Sequence, residues 1–370
     1  MSEQFNNKDY SDYFSAIEKR LTSEIRSVEK QDAKKPTPVQ KDGCGKVIKL
    51  RGWVYLVAIF LVVTIIAVIA FSSKANTRND DAQIIENTDN TASKVEKEEE
   101  KVNLYAEHTD DTDEIASDII SQNVIVINCD SNEVVAARNP SQRCYPASTT
   151  KIMTILTAVD YITDYNQTLT FSYEITDPFH LQGATMAGFM DGEAITITDM
   201  LYGAILPSGA DATAGIAIKL AGGEEEFVKL MNKKAKQLGL KNTKFTNASG
   251  LYDKNHYTTP EDMAVIIREA MKNELCKKIL STYQHTTQST PQHPEGIVLT
   301  STLFSHMYGT EPEGSDILGG KTGYVDQSGY CIASFGKSDG GTEYVCVTLN
   351  GQSLWPTIYD QINLYTRYAK

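Results

Sequence analysis

An unbroken run from Trp53 to Phe71, 19 residues without a charge and with Thr64 as almost its only polar side chain, divides this chain into two sides. As a helix it is long enough to cross a hydrocarbon core of roughly 30 Å. A cleaved signal peptide would carry a shorter apolar core nearer the N-terminus, with a small-x-small cleavage pattern behind it, and the residues after Phe71 do not supply one. Lys34, Lys35, Lys41, Lys46, Lys49 and Arg51 precede the run, whereas only Lys74 and Arg78 follow it closely. That asymmetry predicts a single-pass protein of the cell membrane, its N-terminus cytoplasmic and everything after Phe71 outside.

Charge divides along the same line. Residues 1–52 carry a net +3, residues 72–114 carry −8, and the remainder another −8, for a total of −13. In the cytoplasmic tail Tyr10, Phe14, Ile17, Leu21 and Val28 recur at helical spacing, so residues 9–30 are a candidate amphipathic helix, interrupted by Glu24. Residues 72–114, with Glu98, Glu99 and Glu100 in a row, are too acidic and too poor in apolar side chains to repay their ordering entropy, and are expected to form a disordered, self-repelling tether. An acidic chain without a basic stripe argues against nucleic acid as a partner. Cys44 lies on the cytoplasmic side, leaving Cys129, Cys144, Cys276, Cys331 and Cys346 outside; five is odd, so at least one cannot pair within the chain.

Residues 115–370 are long enough for one two-lobed domain. Val124-Ile125-Val126-Ile127, a polar turn at Asp130-Ser131-Asn132 and Glu133-Val134-Val135 read as a hairpin. After Pro146 a helix is expected to start near Ser148, with Ile152, Ile155, Leu156 and Val159 on its buried face. Three residues apart on that helix, Ser148 and Lys151 share a face, and such a pair can be a nucleophile and its base once the amine's pKa is brought down from ~10.4. By itself the spacing is also met by a serine capping a helix and a solvated lysine.

Two further elements follow in order. Leu206-Pro207-Ser208-Gly209-Ala210-Asp211 reads as a tight loop presenting a second hydroxyl, 60 residues after Ser148. Gly319-Gly320-Lys321-Thr322-Gly323-Tyr324 opens a strand meander that continues through Tyr330–Phe335, a turn at Ser338–Gly341 and Tyr344–Leu349. Ser-x-x-Lys, a Ser-Gly loop and Lys-Thr-Gly in this order resemble the signature of the penicillin-recognising serine enzymes. Tyr145–Thr154, Met231-Asn232 through Leu238–Phe245, Gly250-Leu251 and Tyr257–Ala264 narrow the likeness to the low-molecular-mass penicillin-binding proteins of the serine D-alanyl-D-alanine carboxypeptidase family, over about 115–370.

The resemblance implies an α+β fold of the β-lactamase/transpeptidase type, an antiparallel sheet flanked by helices beside a mostly helical lobe, with the site between them. It implies Ser148 as the acyl-enzyme nucleophile, Lys151 as its general base and Ser208 as a proton relay. Lys321 and Thr322 would bind the substrate's terminal carboxylate, Gly323 would let the strand approach closely, and the backbone N–H groups of Ser148 and Tyr324 would form the oxyanion hole. The implied substrate is the peptidoglycan stem peptide, β-lactam antibiotics would be covalent inhibitors, and no cofactor or metal is called for. Where the second motif most often ends in Asn, this chain has Ala210, so an amide that would hold the substrate is absent unless water or Asp211 replaces it. His306 is a weak stand-in for a carboxylate-binding arginine, and a helix over Trp355–Tyr368 is expected to close the domain.

A class A β-lactamase would also need a deacylating Glu between the second and third motifs, and no Glu-x-x-Leu-Asn run exists; Glu224, Glu225 and Glu226 read as the acidic first turn of a helix. The six His show no zinc-peptidase spacing. A weakly active or inactive penicillin-binding sensor or scaffold of the same fold is the alternative that Ala210 and the cytoplasmic tail favour.

Overall fold

The computed structural model describes residues 103–370. The Trp53–Phe71 run, the candidate tail helix and most of the tether lie outside the described residues, and among the described residues no helix is long and apolar enough to cross a membrane.

The main sheet has the strand order β1-β3-β2-β10-β9-β8, built from β1 (Glu107–Glu114), β2 (Asn123–Asn128), β3 (Glu133–Arg138), β8 (Ser315–Val325), β9 (Gly329–Ser338) and β10 (Glu343–Gly351); β4 (Thr168–Thr170) with β5 (Ala194–Thr196), and β6 (Gln284–Thr286) with β7 (Val298–Thr300), form two short ribbons apart from it. Its two central strands are apolar on both faces because both faces are covered. In β10, Tyr344 and Cys346 pack towards the C-terminal helix Leu354–Tyr368 with Leu364 and Tyr365, while Val345, Val347 and Leu349 join the main core. The same two-residue period splits Val124 and Val126 from Ile125 and Ile127 in β2.

Every pairing in this sheet is antiparallel except β1 with β3, which is parallel, so the expected antiparallel sheet is mixed at one edge. The tether expected over 72–114 is corrected there too, because its last eight residues are β1. An edge strand needs a partner on one side only, and nearly every β1 residue is exposed on both faces, so no apolar alternation marks it. Its hold is polar: Thr112 Oγ1 donates to Val134 O at 2.8 Å, and His108 lies 3.1 Å from Glu261.

On the main-core face lies the helical lobe, centred on α1 (Thr150–Ala158). All nine residues of α1 are buried, not only the predicted stripe, because helices surround it: Ile197–Ile205, Ala210–Ala221, Glu224–Gln237 and Pro260–Lys272. A helix buried all round is where a lysine loses its water, and Lys151 is on it. The acidic first turn read from Glu224–Glu226 and the closing helix are both present, and the five described cysteines are free thiols.

Candidate active site

A cleft of about 680 Å³ lies where α1, the 206–209 loop and β8 meet, lined by Ser148, Lys151, Ser208, Ala210, Thr322 and Gly323 among others. Segments some 170 residues apart in the chain thus converge.

Ser148 sits in a 3₁₀ turn, Ala147–Thr149, that leads into α1, one turn earlier than a simple helix start would place it. Thr149 Oγ1 closes the turn by donating to Pro146 O at 2.7 Å. Lys151 Nζ donates to Ser148 Oγ at 2.8 Å and to Ser249 O at 2.5 Å. Burial lowers the Lys151 amine from its ordinary value to about 7, against the opposing pull of the Asp211 carboxylate. The amine is therefore partly free base at neutral pH, within reach of the hydroxyl proton.

Five described residues other than glycine have φ in the left-handed region. Three are Asn, which tolerates it; the other two are Ala147 (φ 48°), beside the serine of the first motif, and Ser208 (φ 70°), the serine of the second. Neither strain has a sequence signature of its own. Gly250 (φ 82°) belongs with them, since a Cβ there would stand 1.9 Å from Ala147 O. The Gly250-Leu251 likeness thus has a physical content: this turn supplies the Ser249 carbonyl to Lys151 and must touch the segment carrying Ser148.

Across the cleft, β8 runs against the same turn. A Cβ on Gly323 would lie 2.7 Å from Ser148 N, which is why the third motif ends in a residue without one. Thr322 Oγ1 is 2.7 Å from Thr302 Oγ1, and Thr302 also lines the cleft. Lys321 is placed differently from Lys151. It is buried and not among the cleft's lining, its Nζ donating to Thr322 O at 2.8 Å. Burial first, and the charge of Lys151 second, bring its amine well below the ordinary lysine range.

Asp211 does not replace the amide absent at Ala210. Its buried carboxylate accepts from the backbone N–H groups of Ala187 (2.7 Å), Gly188 (3.1 Å), Phe189 (3.4 Å) and Ala212 (2.8 Å), so it pins the segment beside the second motif instead. Sequence reasoning also missed His256, which no motif position singles out. Thr246 N donates to His256 Nδ1 at 3.2 Å, leaving Nε2 to donate to Thr150 Oγ1 at 2.8 Å. Burial chiefly lowers this imidazole to about 4, so it stays neutral beside Lys151. His306 does line the cleft, its Nδ1 bonded to Thr302 O at 2.5 Å. Among the described residues no group of three His, Cys, Asp or Glu side chains is placed to hold a metal ion.

Over residues 106–353 the sequence matches the D-alanyl-D-alanine carboxypeptidase family. The chain belongs to that family. D-alanyl-D-alanine carboxypeptidase DacF of Bacillus subtilis is 33% identical over 226 residues, covering 61% of this chain and 56% of DacF. DacA of Haemophilus influenzae is 29% identical over 62% of this chain and 57% of its own length. The chain thus spans little more than half of these two relatives. Among solved structures, a Streptomyces DD-transpeptidase superposes with a TM-score of 0.59 at 25% identity, covering 67% of this chain and 97% of that one. A Mycobacterium tuberculosis D-alanyl-D-alanine carboxypeptidase superposes at 0.57 with 27% identity, covering 66% and 89%. The family fold is therefore the α+β, penicillin-recognising one, and the matched span includes all three motifs and β1.

Proposed function

We propose that this family member removes the terminal D-Ala from peptidoglycan stem peptides by way of an acyl-enzyme on Ser148. The observation that carries the reading is the buried Lys151 amine, lowered to about 7 and 2.8 Å from Ser148 Oγ. In that reading Ser148 Oγ gives its proton to Lys151 Nζ and bonds the carbonyl carbon of the penultimate residue. The developing oxyanion is held by the backbone N–H groups of Ser148 and Tyr324. As the C–N bond breaks, Ser208 relays the proton to the leaving amine, and water then hydrolyses the ester.

The substrate's own charge has a part in this. Two amines buried side by side do not both stay protonated at neutral pH. A carboxylate arriving at Thr322 favours the proton on Lys321 and leaves Lys151 as the free base. β-Lactam antibiotics, which present a carboxylate and a strained amide, would acylate Ser148 by the same route and deacylate slowly.

The Trp53–Phe71 run supports a membrane-anchored enzyme with this domain outside the cell. Protease added to intact cells would then remove the domain and spare the tail, and protection of the domain would overturn that topology. Incubating the protein with a fluorescent penicillin, and separately with a peptide ending in D-Ala-D-Ala, tests the chemistry. Covalent label on Ser148 with released D-alanine is the expected result. Label without release would instead mark a penicillin-binding sensor, which Ala210 favours, and neither would sink the acyl-transfer reading.

A further inference from the structure

Thr302 bonds to both the second and the third motif. Its backbone N donates to Leu206 O at 3.0 Å, two residues before Ser208, and its Oγ1 is 2.7 Å from Thr322 Oγ1. The main chain around it is fixed on both sides. Ser301 caps the short helix Thr302–Met307, its Oγ accepting from Phe304 N at 3.4 Å, and Thr302 O accepts from His306 Nδ1 at 2.5 Å. With the backbone set, a β-branched side chain has little rotamer freedom left, so Thr302 Oγ1 is aimed at Thr322. Both threonines are only half-buried in the cleft wall, where water could serve them, so burial does not demand that they bond each other.

The segment that delivers Thr302 is itself latched to the helical lobe. Ser301 N donates to Tyr283 O at 2.8 Å, tying the helix to the β6–β7 ribbon. His285 Nε2 on β6 lies 2.7 Å from Asp199 Oδ1, and Gln288 N donates to Asp199 Oδ2 at 3.2 Å. In the loop between the two strands, Thr290 Oγ1 donates to Glu193 Oε1 at 2.5 Å and His293 Nδ1 lies 2.8 Å from the same oxygen. Both carboxylates are buried in the helical lobe. Asp199 stands at the start of helix Ile197–Ile205, and Leu206 follows its end. The ribbon thus grips at its start, and Thr302 at its end, the helix that leads into the second motif.

A hydroxyl has one proton to give and two lone pairs to offer. With Thr302 donating to Thr322 Oγ1, the Thr322 proton is left for the cleft, where an arriving carboxylate needs a donor.

We propose that Thr302 is a positioning residue for the substrate's terminal carboxylate, holding Thr322 Oγ1 as an acceptor so that its proton faces the cleft, at a place set by the second-motif loop through Leu206. The inference rests on the acyl-transfer reading for what Thr322 binds.

The test measures D-alanine release by the full chain from an N-acetylated peptide ending in D-Ala-D-Ala and from the same peptide as its C-terminal carboxamide. Thr302→Val keeps the shape and removes the hydroxyl. It should raise KM for the carboxylate peptide about 3- to 10-fold, the range for one lost hydrogen bond, with kcat changed less. For the carboxamide the change should stay under about 2-fold, and Thr302→Ser should largely restore the carboxylate value. In a Thr322→Val background Thr302→Val should have almost no further effect, because the hydroxyl it orients is gone. No loss, equal losses for both peptides, or a loss that persists without the Thr322 hydroxyl would each overturn the inference. No release by the unaltered protein would count against the acyl-transfer reading. Calorimetric binding of the two peptides to Ser148→Ala, with and without Thr302→Val, would then decide the role of Thr302 separately.

Discussion

Lys151 on α1 and Lys321 on β8 are buried to the same degree, 2% and 1% exposed, yet only the first reaches the cleft. Lys151 stands between a hydroxyl and a carbonyl, and the charge of the Asp211 carboxylate opposes its loss of a proton; Lys321 has one carbonyl, its neighbour's, and feels the repulsion of Lys151. Identical side chains at identical depth are thus set for different work by what surrounds them. An amine held near 7 beside a hydroxyl can take a proton, whereas one that is buried without such a partner and repelled by a neighbouring amine gains by meeting an anion.

The contrast is open to attack at several points. Lys151→Ala should lower the acylation rate by a penicillin reporter about 100- to 10,000-fold, the usual worth of a general base; a loss no larger than that of Lys321→Ala would make the two lysines equivalent. Lys321→Ala should cost about 10- to 100-fold in kcat/KM for peptides with a free C-terminal carboxylate, the range for a lost charged hydrogen bond. With C-terminal carboxamide peptides the same substitution should cost much less, and equal losses would remove carboxylate binding from the role of Lys321. Ala210→Asn, returning an amide to the lip of the cleft, should raise the acylation rate about 10-fold; an unchanged or slower rate would show that the second motif is built around its alanine.

An effect of similar size to that of Ala210→Asn is expected in pH. Because burial brings Lys151 down to about 7, its free base grows as pH rises through 7. The penicillin acylation rate should therefore climb about tenfold between pH 6 and 8 and then level off. A rate flat across that window would place the working proton elsewhere.

The linear order of Ser148-x-x-Lys151, Ser208-Gly209 and Lys321-Thr322-Gly323 was enough to propose the family and the site, because each motif is local and the fold brings their ends together. The hairpin, the meander and the closing helix were equally legible, since each has its own apolar period. What could not be read has physical reasons. Strand β1 buries almost nothing, so its acidic residues look like a tether; Ser249 acts through a carbonyl that every residue has; His256 acts through a contact with Thr150 from 106 residues away.

By itself the sequence determined which reactive groups this protein carries, because hydroxyls, amines and the spacing that puts Ser148 and Lys151 on one face are properties of local chain. Only the tertiary structure decided how those groups behave. Desolvation of Lys151, the left-handed backbone at Ala147 and Ser208, the burial of Lys321 and the engagement of Asp211 by four backbone N–H groups all depend on what distant segments exclude or supply, and water exclusion is a property of the packed whole.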